Sequence, residues 1–327
     1  MRGAFVRRLS SLAERDPKVF LITGDLGFGV LTGFAERFPR QYLNAGVAEQ
    51  NMTGLATGLA LEGRIVFVYS IANFPTLRSL EQLRNDVCYH EANVKVVAVG
   101  GGFSYGALGI SHHATEDLSI LRALPGIAVV APGDRWEAGE ATEAVASRPG
   151  ACYLRLERSA SAEESREGDV FELGRACVVR QGHDLTLITA GGILGEALKA
   201  AEVLGERGVQ CRVLSMHTVK PLDHHAVAAA CSETGGIITV EEHTLDGGLG
   251  SAVAEACMDA GVYPKRFARI GLRSVFSSIV GSQEYLRSCY GLDAVAIAGT
   301  AESLLRGREA AGAGRPSTPR GRAQVNE

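Results

Sequence analysis

Apolar positions along this chain follow two periods. Short runs rich in β-branched residues recur at Val19–Thr23, Ile65–Tyr69, Val94–Val99, Ile127–Val130 and Cys152–Leu156, and longer stretches with helical spacing separate them. Such alternation predicts a mostly parallel sheet covered by helices on both faces. Ligands of these sheets gather beyond the carboxyl ends of the strands, and Asp25, Tyr69, Gly100 and Asp134 fall at such ends. The opening segment, MRGAFVRRLSSLAERD, reads as an amphipathic helix and lacks the long apolar core of a secretion signal. From Val47 to Leu61 the run VAEQNMTGLATGLAL fits a buried helix better than a strand, with Val47, Ala48, Leu55, Ala56 and Leu59 as its apolar positions. Gly54, Ala56, Gly58 and Ala60 in that run allow another backbone to approach closely.

A second α/β pattern follows. Leu185–Thr189 leads through Gly191 and Gly192 into a helix, Cys211–Ser215 and Gly236–Val240 are further strands, and Gly247–Gly250 opens another helix. Between the two patterns the charged stretch Arg158–Asp169 reads as a linker. The expected division is therefore a first α/β domain over 1–158, a linker over 159–170, a second α/β domain over 171–305, and a tail over 306–327. Gly, Pro, Arg and Ala without periodicity make that tail read as disordered.

Composition narrows the setting more than the chemistry. At 327 residues, 46% hydrophobic and 21% charged, the chain has the material for about two globular domains. A net charge of −4 with only short basic clusters gives no footprint for nucleic acid or an anionic membrane. Seven dispersed cysteines without a C-x-x-C pair read as reduced, buried thiols, and no apolar run reaches membrane-spanning length, so the expected localisation is cytoplasmic.

Glu49 is the outstanding chemical feature. It stands in the first turn of a helix among small and apolar residues, where a carboxylate needs a partner or a proton. By residue type alone it is better explained as a group that satisfies backbone donors. Gly100-Gly101-Gly102 matches neither G-x-G-x-x-G nor a Walker loop, which excludes a dinucleotide-binding reading. The cluster His112, His113, Glu116 and Asp117 lacks a zinc spacing such as H-E-x-x-H, and Thr115-Glu116-Asp117 instead opens a helix carrying Leu118, Leu121 and Leu124.

The string Gly46-Val-Ala-Glu49-Gln-Asn-Met52 resembles the pyrimidine-binding domain of transketolases, and the resemblance extends from about Arg2 to Leu305. It is closest to the separate C-terminal subunits of split, two-gene transketolases. The resemblance implies a transferase that moves a two-carbon ketol unit from a ketose donor to an aldehyde-type acceptor by means of thiamine diphosphate, a cofactor that serves as a carbanion sink. Glu49 would bond the aminopyrimidine ring and exchange a proton with it, and an aromatic ring would lie against that heterocycle. Phe74 is the chosen residue and Ile71 the competing position; Asp25 matches an aspartate near the cofactor, though a strand-end turn explains it equally. His112 matches a histidine on the oxygen of the transferred unit, His113 is the next candidate, and Arg158 matches an arginine that grips a sugar phosphate. Arg2 matches a second phosphate arginine less well than it fits an exposed terminus.

Two departures bear on substrate. Leu108 stands where sugar-using relatives carry an aspartate for a donor hydroxyl, and Gly100 where they often carry a phosphate-binding histidine. The G-D-G…N motif that holds Mg²⁺ against the diphosphate does not occur, so the metal ligands are expected on a separate N-terminal subunit, in an α2β2 assembly with active sites between chains. Alternatives are a 2-oxoacid-decarboxylating relative, similar to deoxyxylulose phosphate synthase or a 2-oxoacid dehydrogenase β-subunit, or a catalytically silent architectural subunit.

Overall fold

The computed structural model describes residues 1–157 and 169–307; the expected linker and tail fall outside these, apart from 169–170 and 306–307. Among the described residues, twelve strands form two sheets. They are β1 (Val19–Thr23), β2 (Tyr42–Asn44), β3 (Ile65–Ile71), β4 (Val94–Val99), β5 (Ala128–Val130), β6 (Cys152–Leu156), β7 (Cys177–Arg180), β8 (Leu185–Ala190), β9 (Cys211–Ser215), β10 (Thr218–Lys220), β11 (Ile237–Thr244) and β12 (Phe267–Leu272). The first sheet runs β10-β5-β6-β4-β3-β1-β2 and the second β12-β11-β8-β9-β7. All pairings are parallel except β10 on β5 and β7 on β9. Both halves are thus α/β with mostly parallel sheets flanked by helices, as the hydrophobic periods predict.

Burial explains why the central strands read as unbroken apolar runs. Every residue of β4 and of β8 is buried, because helices cover both faces of a parallel sheet. The one charged residue of β4, Lys95, is buried as well, and its ammonium donates to the carbonyls of Arg148 and Gly150, both at 2.6 Å. The four strands that the periodicity does not reveal, β2, β7, β10 and β12, are short, at an edge, or only partly buried. β10 comes from the second half of the chain yet pairs antiparallel with β5 of the first sheet, and one apolar core runs from Ile22 and Val68 through Ile188 to Leu249. A local pattern cannot show this stitching.

The chain reverses its direction of travel across the first sheet at β1, with β2 on one side of it and β3 on the other. That switch point opens a crevice at the carboxyl ends of the strands. The Glu49–Leu61 helix starts just after β2, and the short helix Asn73–Leu77 just after β3. The Glu49–Leu61 helix turns a different face inward from the expected one. Glu49, Met52, Thr53, Ala56, Thr57 and Ala60 are buried, whereas Val47 and Leu55 are exposed. The threonines tolerate burial because their hydroxyls bond back to the carbonyls of Glu49 and Thr53, each at 2.9 Å. Gly54 and Gly58 lie on the outer face, where an added Cβ would meet nothing in this chain.

Candidate active site

The crevice collects Glu49, Phe74, Arg78 and His112. Glu49 is the first residue of its helix and only 5% exposed, and its Oε1 accepts from Arg78 Nη1 at 2.9 Å. The guanidinium carbon of Arg78 lies 4.2 Å from the centre of the Phe74 ring, which places the cation over the aromatic face. His112 meets the same ring edge-on, with centroids 5.2 Å apart, and Tyr105 at 6.2 Å. A buried carboxylate and a half-buried aromatic face thus hold one flat cation between them.

Loop geometry fixes these positions. Asp25 takes a positive φ of 57° after β1 and exchanges hydrogen bonds with Asn44, whose Oδ1 accepts from the Asp25 backbone at 2.9 Å. The same Oδ1 accepts from Gly46 N at 3.0 Å, so the pair anchors the loop that leads into Glu49. Asn73, beside Phe74, donates to the carbonyl of His113 and ties the end of β3 to the histidine turn. Ser111 Oγ lies 3.0 Å from His112 Nδ1 and orients that ring. Burial, followed by the proximity of His113 and Arg78, lowers the pKa of His112 from its ordinary value, which keeps the imidazole neutral near pH 7.

The neighbouring histidine faces the other way. His113 is 1% exposed, sits edge-on to Phe103 and has Nε2 3.1 Å from the carbonyl of Gly106. In this position it is a packing residue of the loop, so its expected contact with substrate does not follow from the geometry. Arg158 lies outside the described residues. Arg2 is not a free terminus: it is partly buried and hydrogen-bonds Tyr69 at the end of β3. Asp117 is buried, accepting from Tyr153 and lying 3.5 Å from Arg155, and no metal-binding group of His, Cys, Asp or Glu occurs among the described residues.

Gly100 has a physical reason to be glycine. Its φ is +94°, and a Cβ there would lie 2.1 Å from the Tyr105 ring. Tyr105 therefore fills the space that a side chain at 100 would need, and does so beside His112. Sequence reasoning missed both Tyr105 and Arg78. The signal for Arg78 was present: it follows Phe74 by four residues, the spacing that brings a cation over a ring on one helical face.

Comparison with known proteins agrees with this architecture. Residues 1–163 match the transketolase pyrimidine binding domain and 174–297 the transketolase C-terminal domain. The chain is 39% identical to a subunit of the apulose-4-phosphate transketolase of Phocaeicola vulgatus, covering 93% of this chain and 97% of that one. It is 35% identical to a 6-deoxy-6-sulfo-D-fructose transketolase subunit of Clostridium sp., covering 93% and 94%. A 1-deoxy-D-xylulose-5-phosphate synthase of Desulforudis audaxviator is 37% identical, over 93% of this chain but 48% of that longer protein. A solved split gene transketolase, an inactive β4 tetramer, superposes with a TM-score of 0.83 at 34% identity, over 94% of this chain and 98% of that one. The chain belongs to the transketolase family, as a counterpart of the subunit that carries the pyrimidine-binding and C-terminal domains in split transketolases.

Proposed function

We propose that this chain is the pyrimidine-site subunit of a two-component transketolase, which transfers a two-carbon ketol unit from a ketose donor to an aldehyde-type acceptor. The observation that carries the reading is the pair of groups around Arg78. An acidic acceptor and a ring face that grip a planar cation from two directions suit an aminopyrimidine, a flat heterocycle with its own N–H donors. Thiamine diphosphate, when bound, supplies the carbanion sink. Glu49 accepts from or donates to the pyrimidine ring nitrogen, and Phe74 packs against the ring. Asp25 positions the loop before Glu49. His112, neutral at pH 7, donates to the oxygen of the two-carbon unit as charge develops there.

The diphosphate and its Mg²⁺ belong to a separate N-terminal subunit in this reading, and the working assembly is α2β2. The outer face of the Glu49–Leu61 helix supports a close docking partner: Val47, Leu55 and Leu61 are exposed, and Gly54 and Gly58 keep that face thin. Ketose-using subunits among the relatives favour a sugar donor. Likeness to a 1-deoxy-D-xylulose-5-phosphate synthase supports a second reading, in which a 2-oxoacid donor loses CO₂.

The test is co-production with a diphosphate-domain subunit and titration of thiamine diphosphate with Mg²⁺, followed by a donor screen that monitors CO₂. Binding by the pair alone, abolished turnover in Glu49→Gln and no CO₂ are the expected results. Full binding by this chain alone, or none by a verified complex, overturns the two-component reading; CO₂ release transfers the case to the second.

A further inference from the structure

The geometry points to Arg78 as a gate that occupies the pyrimidine position until a cofactor displaces it. The inference rests on the proposed function for the identity of that ligand, and on the described side chains for the gate itself. Arg78 makes both of the contacts assigned above to the heterocycle. Its Nη1 donates to Glu49 Oε1 at 2.9 Å, and its guanidinium lies over the Phe74 ring at 4.2 Å. One flat group cannot share that space with another.

Energetics give the contact a purpose. A carboxylate 5% exposed is costly without a counter-ion, so Arg78 stabilises the empty site, and removing it without a substitute would leave Glu49 unpaired. The arginine itself is half exposed, on a long flexible stem, and its pairing is therefore weak enough to exchange. There is also room for it to leave. Arg78 lines a cleft of about 450 Å³ with Val47, Ala48, Glu49, Gln50 and Asn51, and a swing into this cleft uncovers the Phe74 face and the Glu49 carboxylate together.

A threshold for binding follows from the exchange. An intramolecular competitor is always present at high effective concentration, so a ligand that offers only a flat ring loses affinity in displacing it. A ligand anchored elsewhere, by a diphosphate on the partner subunit, brings additional binding energy and wins. Arg78 thereby raises the affinity threshold for any ring at this position by one common factor, which an anchored cofactor clears and a weakly held free heterocycle does not.

Two experiments test this. In the assembled pair, thiamine diphosphate with Mg²⁺ and unphosphorylated thiamine are titrated calorimetrically against wild type, Arg78→Ala and Arg78→Lys. Arg78→Ala is expected to bind both ligands about tenfold more tightly, as loss of an exposed cation–π contact and a half-exposed ion pair implies. Arg78→Lys, which keeps a charge and loses the plane, gains about threefold by the same reasoning. Unchanged or weaker binding by Arg78→Ala, with a wild-type melting curve, overturns the gate and leaves the proposed function standing. The second experiment needs no cofactor: carbodiimide labelling of Glu49 in this chain, read by peptide mapping. Several-fold faster labelling in Arg78→Ala and Arg78→Lys supports the gate, and equal labelling overturns it even if no complex binds thiamine diphosphate, the outcome that overturns the proposed function.

Discussion

Two carboxylate–guanidinium pairs in this molecule are alike in chemistry and differ in what surrounds them. Glu49 and Arg78 meet at the mouth of the first sheet, where the arginine is half exposed and a single hydrogen bond joins it to the acid. Glu242 and Arg287 meet at the seam between the two halves, both buried. There Glu242 also accepts from Phe103 N and from Gln283 Nε2 at 2.9 Å, and its carbonyl takes a bond from Arg155 at 3.0 Å. Arg287 also lies 3.9 Å from the Glu157 carboxylate, so this buried guanidinium faces two acids. The seam pair is over-determined and structural; the mouth pair is under-determined and exchangeable. In the proposed function the difference separates a charge kept for architecture from a charge kept for chemistry, although residue type and partner are the same.

The sharpest way to break this comparison is to neutralise each acid. Glu49→Gln keeps shape and loses the exchangeable proton, so turnover of the assembled enzyme should fall by about 10²–10⁴-fold while the melting curve stays near wild type. Near-normal turnover with full cofactor would show that the mouth pair is structural after all. Glu242→Ala should do the reverse and lose about 3–5 kcal/mol of stability in urea unfolding, since it leaves Arg287 buried and uncompensated. A loss under about 1 kcal/mol, the range of surface pairs, would mean that water reaches the seam.

A smaller effect distinguishes the seam by pH. Burial pushes the Glu157 carboxyl up to about 7, with Arg155, 3.6 Å away, pulling the other way. A folded-state value above that of the unfolded chain means the folded state holds the proton more tightly. The stability from this group is therefore complete below about pH 4 and is lost as pH rises through about 7. Comparing denaturation at pH 5 and pH 8, Glu157→Gln should flatten the decline seen in wild type by on the order of 2 kcal/mol. Parallel slopes in the two proteins would place Glu157 in contact with solvent.

Much of the mouth was legible in the sequence, because it is built from consecutive residues. Glu49 in the first turn of its helix, Phe74 just past β3 and His112 in the glycine-rich turn are each read from a short string. The strands β1, β3, β4, β6, β8 and β9 were equally plain, since two-sided burial writes an apolar run. What escaped is long-range. The antiparallel seat of β10 on β5 and the cluster joining Arg155, Glu157, Glu242 and Arg287 bring together residues far apart in sequence. No periodicity records such a meeting. The inward face of the Glu49–Leu61 helix was misread for a related reason: in place of Val47 and Leu55, Thr53 and Thr57 are buried, with hydroxyls already satisfied, and the two apolar residues stay exposed.

His112 gives the finest test of the mouth. Its pKa is lowered by burial first, then by His113 and by Arg78, so at pH 7 the ring is neutral and already holds one N–H to donate. Two consequences follow in the assembled enzyme. His112→Ala should lower turnover by about tenfold or more while thiamine diphosphate affinity changes little, because its neighbours Phe74 and Glu49 carry the cofactor contacts in the proposed function. The acid limb of the wild-type rate profile should lie below the ordinary histidine range, since protonation of a ring with a lowered pKa requires more acid. Arg78 contributes to that lowering while the site is empty, so in the cofactor-free chain Arg78→Ala should raise the pKa of His112 in a proton NMR titration. A His112 titration unmoved by Arg78→Ala in the cofactor-free chain, with turnover of the assembled enzyme still dependent on His112, would mean that the arginine does not rest beside the histidine even in the empty site.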